Sequence, residues 1–442
     1  MDRLRRIEAL IRKHQHAFVD AAMADFNPKH PVQTRSELAA TLGSAKHAAK
    51  HVRTWMKPRR VAVPLPLRLT GARAEVYPQP LGVVGVVSPW NFPFNLSLAP
   101  LAGIFAAGNV AMVKPSEIGP ACSEALAAAL GEYYDPGEVR SVLGGPDVGR
   151  AFTALPFDHL LFTGSPAIGR HVMRAAADNL VPVTLELGGK CPVIVDRDAD
   201  IAVAAKRVAL GKMQNSGQLC LSPDTLFVPE ERVDQFIGAM RTVFEASFAA
   251  IADNPDFVGM IDERAFERVS GYLAEAREAG ARVEPLSAEG LEPASNRRKI
   301  PPAVIVDPEG DLAISREEIF GPLMVLRPYR DLAQVVDWLD RGERPLGLYY
   351  FGGNRRMQKL LRDRTISGGM TVNDVVSHAS LEEAPLGGVG NSGMGAYHGR
   401  AGFDTFSHLK TTYYQGRLSL LGLLAPPYKP GHMKMLDRML GR

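Results

Sequence analysis

The sequence predicts an α/β protein built from two parallel-sheet domains. Short runs rich in Val, Ile and Leu alternate with Ala-rich helical stretches, as expected for buried strands joined by crossover helices. This alternation pauses near residues 186–190 and then begins again. The chain, at 442 residues, is also too long for one ordinary core.

The elements follow in order. Segment 1–26 is charged and helix-like, with Leu4, Ile7, Ala9, Leu10, Ile11 and Phe18 on a helical period. It lacks the unbroken apolar stretch of a signal peptide. Strands are expected at 82–87, 110–114, 159–163, 181–185 and 192–195, with helices at 98–107, 121–133 and 167–179. The second series has strands at 225–228, 303–306, 324–327, 347–351 and 369–372. Its helices are expected at 231–251 and 266–279, with a polar, turn-rich loop at 285–299. Segment 418–425 is apolar but far short of the ~20 residues a membrane helix needs. It reads as a packing tail or subunit contact, with weak peripheral membrane contact as the alternative.

Composition narrows the function. Hydrophobic residues make up 46% and charged residues 22%, the balance of a globular rather than a disordered chain. A net charge of +3, without a dense Lys/Arg block, gives no reason to expect a nucleic-acid partner. Three cysteines, Cys122, Cys191 and Cys220, are an odd number, so a disulfide framework is not expected and a reducing, cytoplasmic setting is.

Several short motifs have chemical potential. Cys220 follows Gly217 and polar Gln214, Asn215, Ser216 and Gln218, which favours a loop or helix end over plain core. A thiolate there would be a nucleophile, and nearby backbone N–H groups would lower its pKa. Cys122 and Cys191 have weaker local cases. Glu186 ends an apolar strand just before Gly188 and Gly189. Desolvation would suit it to base work; the alternative is a buried salt bridge with Lys190. Asn91, in the rigid turn Ser88-Pro89-Trp90-Asn91-Phe92-Pro93, offers an amide as an oxyanion donor or as a cap for its own turn. Gly164, Ser165 and Gly169 form a strand-to-helix turn that either cradles a phosphate or is simply tight. Lys114, Ser116 and Glu117 follow another strand, where a ribose could be held. Glu318, in Glu317-Glu318-Ile319-Phe320-Gly321-Pro322, is ambiguous alone. No His/Cys cluster with ligand spacing is apparent, so no metal is expected.

In order, SPWNFP around Asn91, KPSE at Lys114, FTGS at Gly164, ELGGK at Glu186, GQLC at Cys220 and EEIFGP at Glu318 resemble the aldehyde dehydrogenase superfamily. The resemblance runs from about the first helix to His408. It is closest to the short class 3 branch, with no longer N-terminal extension expected, and within it to bacterial coniferyl aldehyde dehydrogenases. Leu219 stands where that branch usually has Thr, Leu386 where it has Phe, and Cys191 where Ser is common, which puts substrate identity in question.

The resemblance implies a Rossmann-type cofactor domain over 1–185, including a bridging segment at 59–80. An α/β catalytic domain over 186–385 and a returning oligomerisation tail over 386–442 would follow. It implies Cys220 as nucleophile, Glu186 as base and Asn91 as oxyanion donor. Trp90, Lys114, Ser116, Glu117, Gly164, Ser165, Gly169, Leu187, Gly188, Glu318 and Phe320 would hold the cofactor. That cofactor would be NAD, with NADP possible, in a homodimer oxidising a small-molecule aldehyde, aromatic such as coniferyl aldehyde or medium- to long-chain aliphatic, to the acid. The alternatives are a CoA-acylating relative and a non-catalytic binding or structural relative of the same fold.

Overall fold

The computed structural model describes every residue except 27, 249, 418, 420, 422–424 and 442. β-Branched and aromatic side chains, which pack well on a pleated surface, form two central sheets. The first has six strands in the order Gly393–Met394, Val183–Glu186, His159–Thr163, Val83–Val87, Val110–Lys114 and Val139–Ser141. All pair in parallel except Gly393–Met394, which runs antiparallel to Val183–Glu186. The second has seven, in the order Arg282–Pro285, Ala303–Val306, Leu323–Tyr329, Pro223–Pro229, Cys191–Val195, Gly347–Phe351 and Gly369–Val372. Only its edge strand Arg282–Pro285 is antiparallel. The predicted α/β class is therefore present, and strands such as Val110–Lys114, Ala303–Val306 and Gly347–Phe351 have their predicted bounds.

The chain crosses from one sheet to the other at residues 187–190. Segment 59–80 holds the strands Arg59–Val61 and Arg73–Pro80. These join Ser407–Tyr414 in a separate antiparallel sheet. The last strand went unread because its sequence, SHLKTTYY, is mostly polar and its side chains are largely exposed. Val139–Ser141 and Gly393–Met394 are too short to show a period. Segment 418–425 lies mostly outside the described residues. Among the described residues no helix is long and apolar enough to cross a membrane.

Helix Asp2–Phe26 buries Leu4, Ile7, Leu10, Ile11 and Phe18, the predicted stripe, and leaves Ala9 exposed. With helices Pro31–Trp55 and Asn95–Ala106 it covers one face of the first sheet. This layer encloses two charges, Lys29 and Glu37, with Nζ and Oε2 3.8 Å apart and both side chains fully buried. Burial lowers the Lys29 pKa and raises that of Glu37. Glu37 Oε1 accepts from the N–H groups of Phe94 (2.7 Å) and Asn95 (2.9 Å), an anionic cap at the start of helix Asn95–Ala106. The Lys29 ammonium lies over the rings of Phe26 (4.5 Å) and Phe92 (5.0 Å) and donates to the Asn91 carbonyl at 3.3 Å.

Removing one member of a buried pair strands the other, at about 3–5 kcal/mol. Lys29→Met is expected to lower the thermal unfolding midpoint, and Lys29→Met/Glu37→Leu to cost less than its two single variants combined. Additive losses would show that the two charges do not act as a pair.

Candidate active site

In the first sheet the strand order reverses about Val83–Val87: the next strands in the chain lie on one side and His159–Thr163 on the other. Crevices at such switch points, beyond the carboxyl ends of the strands, are where α/β sheets bind ligands. A cavity of about 520 Å³ opens there. Pro89, Trp90 and Asn91 enter it from the end of one strand, Thr163, Gly164 and Ser165 from the next, and Glu186, Leu187 and Gly188 from the third. The second sheet's domain supplies Cys220, Glu318 and Phe320 to the same space.

The Cys220 loop is held by backbone geometry. Helix Ile201–Met213 ends, and Asn215, Ser216 and Gly217 take left-handed φ values of 49°, 51° and 76°. A Cβ on Gly217 would overlap the Gly321 carbonyl, so glycine is required. The Gln218 amide donates to the carbonyls of Asn215 (3.0 Å) and Gly259 (3.1 Å) and accepts from Ile261 N–H (3.0 Å). Cys191, fully buried beneath, donates its thiol to the Cys220 carbonyl at 3.3 Å.

Asn91 is 3% exposed, and its Nδ2 donates to the Gln218 carbonyl at 3.2 Å. That amide group has a second hydrogen available. Asn215 Nδ2 joins Lys29 in donating to the Asn91 carbonyl, also at 3.2 Å. The Cys220 loop and the Asn91 turn are thereby tied together from both sides. Cys122, by contrast, is buried in helix Pro120–Tyr133.

Glu186 is 6% exposed and its Oε1 has no hydrogen-bond partner. Burial alone raises its pKa well above the ordinary carboxylate value. The alternative of a salt bridge with Lys190 is overturned. Lys190 pairs with buried Asp224 (2.5 Å) and donates to the carbonyls of Ile314 (2.8 Å) and Glu317 (3.0 Å). Glu318 also carries a partnerless Oε1, and burial pushes its pKa up to about 8. A Cβ on Gly188 would collide with its carboxylate.

The expectation of a lowered thiol pKa is corrected. Cys220 is pushed up to about 12, mainly by burial and then by the charges of Glu318 and Glu186. The backbone N–H groups of Cys220 and Leu221 pull the other way, and burial with two carboxylates outweighs them.

Gly169, Lys114, Ser116 and Glu117 are not among the residues that line the cavity. Gly169 lies in helix Pro166–Ala177 against Leu187, where a Cβ would clash. Lys114 is buried at the end of the neighbouring strand, with its Nζ donating to exposed Glu117 at 2.6 Å. The Ser116 hydroxyl accepts from Ile118 N–H at 3.3 Å. Ser165 caps helix Pro166–Ala177, so that helix's N-terminus faces the cavity.

The sequence reading missed Arg268, Arg316 and Glu343, which also line the cavity. Arg268 donates to the Ile319 carbonyl (3.0 Å) and to Tyr272 Oη (2.9 Å) and so steadies the Glu318 segment. An arginine on an amphipathic helix looks like any solvated face, so no local signal marked it.

A switch-point crevice with a thiol and a buried carboxylate facing one space is the geometry of an α/β enzyme site. The family model described as "Aldehyde dehydrogenase family" matches residues 1–412, and the chain belongs to that family. It is 46% identical over 438 residues to a probable coniferyl aldehyde dehydrogenase of Caulobacter vibrioides, covering 98% of this chain and 90% of that protein. It is also 46% identical to the coniferyl aldehyde dehydrogenase of a Pseudomonas strain, covering 96% and 89%. The substrate-bound structure of Staphylococcus aureus AldH superposes with a TM-score of 0.92 at 33% identity, covering 99% of this chain and 93% of that one.

With a thiol pKa of about 12, the thiolate fraction at pH 8 is about one part in ten thousand. Alkylation of Cys220 by iodoacetamide in the cofactor-free protein, followed by peptide mass, should therefore keep rising with pH through 10. A plateau near pH 9 would mean that the thiol ionises like an ordinary cysteine.

Proposed function

We propose that the chain oxidises an aromatic aldehyde of the coniferyl type to its carboxylic acid, using NAD. The observation that carries this reading is the buried, unpaired Glu186 carboxylate facing the same cavity as Cys220. The aromatic preference is supported by the names of the two bacterial relatives and by Trp90 and Phe320, whose rings meet edge-on at 5.5 Å on the cavity wall.

In this reading Cys220 attacks the aldehyde carbon. Asn91, with its spare amide hydrogen, and the Cys220 N–H hold the oxygen that becomes negative. A bound nicotinamide dinucleotide supplies the hydride acceptor and a positively charged ring. Glu186 then takes a proton from the water that hydrolyses the thioester on Cys220. Burial raises its pKa, which makes the ionised carboxylate a stronger base than an exposed one. Without a base to activate water the acyl group would leave to another acceptor, such as CoA, as an acyl-CoA rather than the acid, so the presence of Glu186 favours hydrolysis.

The cofactor assignment rests on fit. The orphan Glu318 oxygen is an acceptor for ribose hydroxyls, Gly188 lets the Glu318 carboxylate sit against the backbone at the cavity wall, and the Ser165 helix terminus suits a phosphate. Trp90, Gly164, Leu187 and Phe320 wall the same crevice, with Gly169 packed behind it. Lys114, Ser116 and Glu117 are assigned to the adenosine ribose. We assign residues 1–185 to cofactor binding, 186–385 to catalysis, and the three-stranded sheet with the 386–442 tail to the contact of a homodimer.

Two substitutions separate the halves of the reaction. Cys220→Ala should abolish NADH formation while NAD still binds, measured by turnover and cofactor titration; near-normal turnover would remove Cys220 from the chemistry. Glu186→Gln should give one rapid equivalent of NADH per site, then slow turnover, with a thioester mass on Cys220. A slowed burst would instead make Glu186 the base for the thiol as well.

Cofactor choice is tested at Glu117. A carboxylate near the 2′-hydroxyl disfavours a 2′-phosphate, so Glu117→Gln should raise kcat/KM for NADP relative to NAD. An unchanged ratio would place Glu117 away from that ribose.

A further inference from the structure

On the far side of the N-terminal helical layer, His47 and His51 sit one turn apart on helix Pro31–Trp55. An i, i+4 spacing puts both rings on one face, and their centroids are 4.3 Å apart. Trp55, one turn further, stacks on His51 at 5.7 Å and lies 5.6 Å from His47, bracing both rings. His51 Nδ1 is 2.9 Å from the His47 carbonyl. Donation there fixes the tautomer and leaves His51 Nε2 with a free lone pair, the way metal-binding histidines are commonly oriented. His47 Nε2 is buried and has no hydrogen-bond partner.

Facing both is Glu383, brought in from the distant C-terminal part of the chain. Its Oε1 is 3.8 Å from His47 Nε2 and 3.9 Å from His51 Nε2. These gaps are too long for hydrogen bonds. The three ligand atoms nevertheless lie within 4.8 Å of one another. Two ligands on a tetrahedral zinc ion, each at about 2.1 Å, are about 3.4 Å apart, so small side-chain rotations would close the set. Neighbouring Glu382 is engaged elsewhere, accepting from Ser44 Oγ at 2.5 Å.

We propose that His47, His51 and Glu383 form a binding site for one divalent transition-metal ion, with remaining positions taken by water. Two imidazoles and a carboxylate suit zinc or nickel better than calcium or magnesium. The sequence reading saw no cluster with ligand spacing. The His-x-x-x-His pair was present, but its third ligand is supplied only by the fold. An ion there would tie helix Pro31–Trp55 to the segment leading into Gly393–Met394, the strand paired with Glu186. It would thus stiffen the wall next to the cavity without touching it.

The test is Zn²⁺ titration of the untagged full chain by calorimetry, with thermal unfolding in parallel, for wild type, His51→Ala and Glu383→Gln. Cys220 is intact in all three, so any zinc it binds cancels in the comparison. Wild type should show one site that both variants lose, and a rise in unfolding midpoint with Zn²⁺ that both variants lack. The Glu383 side chain is 78% exposed, so its variant should fold even if His51→Ala does not. Equal Zn²⁺ stoichiometry and midpoint shift in wild type and Glu383→Gln would overturn the site.

Discussion

The structure depends on the turn at residues 187–190, where the chain leaves one sheet and enters the other. Glu186 ends the last parallel strand of the first sheet, and Cys191 begins a strand of the second. Between them Gly188 leaves space for the Glu318 carboxylate, and Lys190 reaches Asp224 and the carbonyls ahead of Glu318. Asp224 also accepts from the Ile319 N–H at 3.0 Å. One short turn therefore joins the two sheets beside the cavity that Glu186 and Glu318 both border. A side chain at Gly188 would displace the Glu318 carboxylate.

A second constraint is electrostatic. Glu186, Glu318 and Cys220 border one cavity, and burial raises the pKa of each. Three ionised acids could not share so small and poorly solvated a space without repulsion. Burial disfavours ionisation of all three, and a positive charge placed beside them would act in the opposite direction.

The third constraint is mechanical. The turn bearing Asn91 has no regular structure to hold it, so its position comes from Lys29, Asn215 and the Gln218 carbonyl. Lys29 is in turn kept company by Glu37, which caps the next helix. A buried charge pair contributes little net stability, but here it fixes the register between the N-terminal helices and the turn. Three left-handed residues before Cys220 do the same for its loop, a local strain maintained by the surrounding contacts.

The sequence by itself determined the α/β class, most strand positions and the motifs that line the cavity, because those signals are local: hydrophobic period, glycines at tight turns, residues at strand ends. Glu186, Asn91 and Cys220 were legible for that reason. The tertiary structure decided what depends on distance through space. It gave Lys190 to Asp224 rather than to Glu186 and raised the Cys220 pKa where nearby N–H groups alone had pointed to a fall. It also buried Lys29 against Glu37, brought Arg268 to the site and set Glu383 opposite His47 and His51. Lys190 and Asp224, Arg268 and Ile319, and His47 and Glu383 lie far apart in the chain; Lys29 and Glu37 are close in sequence, but their burial comes from the layers packed around them.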